Sequence, residues 1–308
     1  MPRLYSIPFL YLLCSLFLII AQPAAAHNRL NVVVSIRPLF SLVAAVMHGV
    51  GKPVLLLNTT QSPHHINLRP SDYRKLAHAD IVFWAGPAME TFMPALIKKD
   101  SPQTAFYALM QAPGIERLSI RPIHTSAPKK VNAQTDTTAI DPHFWLSTNN
   151  AMQMVKAITH TLIHMDRPHA AIYVKNRQQT LLRIKQLHAQ LKTKLYAMRT
   201  PFISYHDAYQ YFEKDYHLNR LASVNLNETA SPGIKQIRYI KQLIKKRHIT
   251  CVFYEAPVKP PLIHTLIANT SAKAVELDIL GLFHPVDRFL WFDVLKQTAD
   301  RMAACLRK

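Results

Sequence analysis

The sequence predicts an α/β protein of two lobes, each with a parallel-type β-sheet flanked by helices, joined by one long helix. Three observations carry this. Short apolar runs alternate with helical stretches in the first part of the chain and again in the last, the mark of β-α units and a parallel sheet. Between them, Pro168 to Met198 has no Gly or Pro in its interior. The chain's 308 residues exceed the usual single-domain size, so two cores are expected.

In order, Val32-Val33-Val34-Ser35-Ile36 reads as a buried strand, followed by a helix from Pro38 to about Met47 and a strand over Val54 to Leu57. Pro70-Ser71-Asp72 opens a second helix, Ile81 to Trp84 is a strand, and Gly86-Pro87 starts a helix to about Ile97. Leu118 to Ala139 is rich in Pro, Thr, Ser, Lys and Asn without apolar periodicity, a surface loop. In the long stretch Ile184, Leu187, Leu191, Leu195 and Met198 keep spacings of three or four, one amphipathic helix of roughly 46 Å. The alternation then resumes with a strand at Phe202 to Tyr205, helices near Asp207 to Phe212 and over Ile234 to Arg247, a strand at Cys251 to Tyr254, a short strand at Ala274 to Leu277 and a C-terminal helix. The expected division is a leader over 1–26, a first lobe over 27–166, a linker helix over 167–199 and a second lobe over 200–308. No internal repeat is strong enough to use, and six glycines leave no phosphate-binding glycine loop.

The N-terminus carries Arg3, an apolar run from Ile7 to Ile20, and Ala24-Ala25-Ala26, the three-part pattern of a cleaved export signal. The run is shorter than the ~20 apolar residues a membrane span needs. Leu12 and Leu13 precede Cys14 where a lipid-attachment signal needs a small residue, so a freely soluble periplasmic protein is expected, in a bacterium with an outer membrane. Loss of Cys14 with the leader leaves Cys251 and Cys305 in an oxidising compartment, where a disulfide is the natural reading and two free thiols the alternative. The formal net charge of +19 falls to +18 without Arg3. Its basic residues are scattered and export removes nucleic acid as a partner, so the surface is simply cationic. A cationic protein repels a metal ion at long range, so any metal site must win by ligation.

Sixteen histidines are present, and position separates a few of them. His64 lies in the loop after the strand ending at Leu57, His206 follows Tyr205, and Asp278 follows Leu277. Each sits at the carboxyl end of an expected strand, the edge where open α/β sheets bind ligands. His143, in Asp141-Pro142-His143-Phe144-Trp145, closes the polar loop and reaches toward the same cleft. Three imidazoles and a carboxylate suit four-coordinate Zn²⁺ better than manganese or calcium, which favour oxygen. Spacing alone does not separate these residues from unrelated histidines. Glu255 reads equally as an orienter of a ligand imidazole or as a plain cleft carboxylate. Trp84, Phe144, Trp145 and Phe253 read as lobe packing, and Asp207 as a cap for the helix after His206.

The run Ser62-Pro63-His64-His65-Ile66-Asn67-Leu68-Arg69-Pro70-Ser71-Asp72, with Ala79-Asp80-Ile81-Val82-Phe83-Trp84-Ala85-Gly86-Pro87 and Met89-Glu90, resembles the first ligand segment of ZnuA-type zinc-binding proteins. His143-Phe144-Trp145-Leu146-Ser147, His206-Asp207-Ala208-Tyr209-Gln210-Tyr211-Phe212-Glu213, Cys251-Val252-Phe253-Tyr254-Glu255 and Leu277-Asp278-Ile279-Leu280-Gly281 follow in the family's order, over essentially the whole mature chain. The resemblance implies a metal-receptor type of periplasmic binding protein with a rigid linker helix, and zinc ligands at His64, His143 and His206 with Asp278 or water completing the shell. It also implies the disulfide Cys251–Cys305, no catalysed reaction, and delivery of zinc by a monomer to an integral-membrane ABC permease with a cytoplasmic ATPase. Relatives with Glu at the third ligand position tend toward manganese, so His206 implies zinc. His65 neighbours His64, but adjacent side chains of an extended loop point oppositely, and His64 is the expected ligand. The family's His- and acid-rich loop is not matched, since Leu118 to Ala139 holds only His124 and Asp136. The competing functions are a manganese or mixed-metal receptor, an adhesin for which nothing in the sequence speaks, and a periplasmic zinc hydrolase with Glu255 as base. The last lacks a His-Glu-x-x-His helix.

Overall fold

The computed structural model describes residues 29–58, 61–64, 66–100, 104–121, 139–225, 232–255 and 260–307. The leader with Cys14, His65, and His124 and Asp136 of the polar loop lie outside the described residues.

Two four-stranded sheets form, and every strand pair in both is parallel. The first contains β1 (Val32–Val34), β2 (Val54–Leu55), β3 (Ile81–Trp84) and β4 (Ala105–Ala108) in the order β2-β1-β3-β4. The second contains β5 (Phe202–His206), β6 (Arg220–Asn225), β7 (Cys251–Glu255) and β8 (Lys273–Leu277) in the order β6-β5-β7-β8. These are one topology used twice: the chain steps to one side of the founding strand, then crosses to the other. Each sheet therefore has a switch point beside its founding strand, β1 next to β3 and β5 next to β7, where a ligand crevice opens at the carboxyl ends.

The helices are α1 (Arg37–Val46), α2 (Pro70–Ala77), α3 (Met93–Asp100), α4 (Thr148–Met165), α5 (Ala170–Leu195), α6 (Gln210–Tyr216), α7 (Ile234–Lys246), α8 (Pro260–Ile267) and α9 (Leu290–Leu306). The long helix is shorter than expected, because Arg167–His169 form a 3₁₀ turn ahead of it, and its 26 residues span about 39 Å. The helix expected to open at Gly86-Pro87 begins at Met93 instead. Gly86 has φ 142, which no helix accommodates, and Glu90 folds back so that its carboxylate accepts the Ala85 and Gly86 N–H groups. Burial pushes the Glu90 carboxyl above its ordinary range, and the nearby Ser35 hydroxyl and those backbone N–H groups oppose the shift.

Strands of the second sheet show the period of two that a doubly covered sheet requires. Phe202, Cys251 and Phe253 join the main core, whereas Ile203, Tyr205 and Val252 join a smaller core with Ile240 and Ile244 of α7. The main core is continuous across both sheets. It runs from β1 and α1 through α4 and α5 to α9, and α1 packs directly on α4, α5 and α9. Two buried indoles bolt this seam: Trp291 Nε1 donates to the Trp145 carbonyl at 2.8 Å, and Trp145 Nε1 to that of Ile279 at 3.1 Å. Cys251 and Cys305 form a disulfide with a Cα–Cα distance of 6.1 Å, joining β7 to α9.

Candidate metal centre

The three histidines reach one point from three kinds of local structure. His64 sits in the loop between β2 and α2, where its N–H meets Ser62 Oγ at 3.3 Å and its carbonyl accepts the Thr91 hydroxyl at 3.1 Å. His143 precedes a 3₁₀ turn, Phe144–Leu146, that runs through the N-cap Ser147 into α4. His206 is the last residue of β5, at the switch point of the second sheet. One nitrogen from each ring lies within 4.8 Å of the others, and the ring centroids are 4.8 to 6.2 Å apart. Nitrogens around a tetrahedral zinc stand about 3.3 Å from one another, so an ion would draw this group in by up to about 1.5 Å. His143 and His206 are buried and His64 is half-buried at the mouth.

Carboxylates hold two of the rings from behind. Asp141 Oδ1 lies 2.8 Å from His143 Nδ1 and also accepts the His143 N–H at 3.0 Å. Glu255 Oε1 lies 2.6 Å from His206 Nδ1, while Oε2 accepts the Tyr209 hydroxyl at 2.9 Å. A carboxylate at Nδ1 fixes the proton there and leaves the Nε2 lone pair for a metal, the usual arrangement around a metal-binding histidine. Burial above all holds the Asp141 carboxyl up to about 7; the His143 amide opposes it and the charge of Asp207 adds to it.

Asp278 stands apart from this group. Its two oxygens accept the N–H groups of Leu282 and Phe283, each at 2.8 Å, so the carboxylate organises the turn after β8. Gly281 in that turn has φ +73, and a Cβ there would come within 2.6 Å of Leu290 Cδ2. Among the described residues, the group with metal-ligand geometry is His64, His143 and His206 alone. A cleft of about 400 Å³ opens beside the three rings, walled by Ala88, Thr91, Ile120, Arg121, Ile140 and Gln210.

Other assignments divide. Phe144, Trp145 and Phe253 are fully buried packing residues and Trp84 nearly so. Asp207 does not cap α6, whose N-cap is Tyr209 with no side-chain bond; it takes the guanidinium of Arg121 at Nε–Oδ2 3.0 Å. Sequence reasoning leaves Asp141, Tyr209 and Arg121 without roles. An acid two residues before a candidate ligand, as in Asp141-Pro142-His143, is the local signal that points to the first.

The profile described as "Zinc-uptake complex component A periplasmic" (ZnuA) matches residues 32–305. A Brucella suis biovar 1 protein named high-affinity zinc uptake system protein ZnuA is 32% identical over 312 residues, spanning 92% of this chain and 93% of its own. A protein of the same name from Haemophilus ducreyi is 29% identical over 295 residues, 90% of this chain and 93% of its own. A crystal structure of ZnuA superposes with a TM-score of 0.78 at 21% identity, covering 91% of this chain and 100% of that one. A Zn(II)-bound variant of AdcAII from Streptococcus pneumoniae gives 0.75 at 19% identity, covering 90% and 98%. At these identities the two structures speak for the fold.

Proposed function

The chain belongs to the ZnuA family of periplasmic zinc-uptake components, and from that membership we propose that His64, His143 and His206 hold the transported Zn²⁺. The supporting observation is the convergence of three imidazoles, two of them with Nδ1 against a buried carboxylate. Neutral nitrogen donors suit zinc, and their orientation by Asp141 and Glu255 raises their basicity. The fourth position is assigned to water or another small ligand from the adjoining cleft, since Asp278 lies outside the group formed by the three imidazoles and its oxygens already receive backbone N–H groups.

The chain acts as a monomeric carrier without a reaction of its own. It is exported on a cleaved leader, takes zinc between the carboxyl edges of lobes 27–166 and 200–308, which the helix 167–199 joins, and hands it to an ABC permease driven by a cytoplasmic ATPase. Glu255 is poorly disposed as a hydrolytic base, being held between His206 Nδ1 and the Tyr209 hydroxyl. Titrating the metal-stripped protein with Zn²⁺ and Mn²⁺ by calorimetry tests the assignment. A single tight zinc site, much weaker for manganese and lost in His206→Ala, is the expected result; equal affinities or an unchanged variant overturn it.

A further inference from the structure

The strongest polar cluster outside the three rings lies one residue beyond them. The segment holding Leu118 to Ile120 pairs antiparallel with the segment that leads into His143: Ser119 bridges Ile140, Ile120 N–H donates to the Ala139 carbonyl at 2.9 Å, and Asp141 N–H to the Leu118 carbonyl at 2.8 Å. This ribbon is gripped by α6. The Tyr211 hydroxyl accepts the Leu118 N–H at 2.9 Å and donates to the Asp141 carbonyl at 3.0 Å. On this ribbon, Arg121 reaches both Asp207, the neighbour of His206, and Glu213 of α6. Its Nε and Nη2 bind the two Asp207 oxygens, and Nη1 binds Glu213 Oε2 at 2.6 Å. Both carboxylates are buried, and Arg220 on β6, 3.4 Å from Asp207 and 3.7 Å from Glu213, completes a neutral quartet of two guanidiniums and two carboxylates.

We propose that Arg121 is a positioning residue for zinc: its fork ties the ribbon that carries His143 to the strand end that carries His206, and so sets how fast the ion leaves. The inference rests on the ligand assignment above. A fork–fork pair is directional, since a planar guanidinium on two carboxylate oxygens fixes distance and angle together, whereas an ammonium supplies charge without that geometry. The tie spans only one residue on the His206 side, so a loosened fork is felt at the ligand nitrogens rather than absorbed by intervening chain.

Arg121→Lys separates positioning from charge balance, because it keeps the cation and loses the fork. Zinc release into excess chelator is followed by stopped flow, the ligand cage by the visible bands of the Co²⁺-substituted protein, and folding by melting of the metal-free chain. The expected result is zinc release about tenfold faster or more and altered Co²⁺ bands, with a melting temperature close to the parent's. Lys214→Ala, which removes an exposed ion pair to Glu116 at the other end of the same contact, is expected to leave release unchanged. Release at the parental rate in Arg121→Lys overturns the proposal, as does equal acceleration in Lys214→Ala, which would mean that general loosening of α6 suffices. Should Arg121→Lys not fold, Asp207→Asn replaces one of the two oxygens that receive the fork and decides by the same rates: faster release supports the tie and parental release refutes it. His143→Ala in the parent guards the premise. Retained zinc affinity there means that the ligand assignment has failed, whereas lost affinity with unchanged release in Arg121→Lys means that only the tie has failed.

Discussion

Replacing Glu255 by Gln removes one charge from a buried part of the site while keeping its shape. Glu255 is 4% exposed and serves two donors, His206 Nδ1 at 2.6 Å and the Tyr209 hydroxyl at 2.9 Å. Glutamine retains one carbonyl oxygen for Nδ1–H and turns its amide toward Tyr209, whose hydroxyl can accept as well as donate. The lost quantity is therefore the charge assistance, which about doubles the strength of such a bond. Once zinc draws on Nε2, the imidazole becomes more acidic at Nδ1 and the carboxylate's contribution grows. Removal of such a partner lowers metal affinity by about 10- to 100-fold, which is about 1.4 to 2.7 kcal/mol. The metal-free protein should lose little, because a buried carboxylate costs desolvation that an amide does not. Competition against a chelator of known affinity gives the zinc Kd, and calorimetric melting of the metal-free chain gives the control. A Kd within threefold of the parent's would refute this account of Glu255, and so would a fall in metal-free stability as large as the loss of binding.

Asp278→Ala should leave zinc affinity within about twofold while costing about 2 kcal/mol of stability, since two N–H groups of the Leu282–Phe283 turn lose their acceptors; titration and denaturant melts on the same sample check both halves. Gly281→Ala is expected to destabilise by about 1–3 kcal/mol, because φ +73 disfavours an L-residue and the new methyl meets Leu290 Cδ2, and an unchanged urea midpoint would contradict that. Opening the Cys251–Cys305 bridge, which spans a sequence separation of 54, should cost about 4 kcal/mol in the chain-entropy reckoning, read as the drop in unfolding free energy of the double Ala variant relative to the oxidised parent.

The strands at the heart of each sheet are legible because burial on both faces makes them continuous apolar runs: Val32–Val34, Ile81–Trp84, Phe202–His206 and Cys251–Glu255 all fall where such runs place them. The edge strands β4 and β6 are not. Ala105–Ala108 is partly exposed and short, and Arg220–Asn225 mixes Arg, Ser and Asn with its apolar residues because its polar side chains serve buried contacts such as Ser223 Oγ to Ser204 Oγ at 3.0 Å. Helix α4 does leave a signal, with Ala151, Met154, Val155, Ile158 and Leu162 at helical spacing and Ser147 accepting the Asn150 N–H as its cap. Its Thr- and Asn-rich start carries little apolar pattern, and a tertiary contact adds to the local cap: Asp215 of α6 takes the Thr148 N–H at 2.8 Å and the Thr148 hydroxyl at 2.9 Å, placing an acid at the helix's positive end.

The same contrast governs the site. A candidate ligand at the end of a founding strand can be found from sequence, since the strand is visible and its carboxyl edge is where the topology opens a crevice; His206, the proposed ligand, is of this kind. Glu255 sits at the corresponding end of β7, the neighbouring strand across the switch point, so its contact with His206 follows from the strand order β6-β5-β7-β8 and not from any spacing along the chain. Asp278 has the same local credentials on β8, yet β8 is one strand further from β5, and its carboxylate turns to the backbone of its own loop. Strand-end position alone cannot separate these two acids, whereas strand order can: the acid next to the founding strand contacts the proposed ligand His206, and the acid at the edge builds the turn. By that logic an exchange of roles, Glu255→Ala with Asp278→Glu, should not restore zinc affinity, and recovery to within threefold of the parental Kd would show that the edge carboxylate reaches the ion after all.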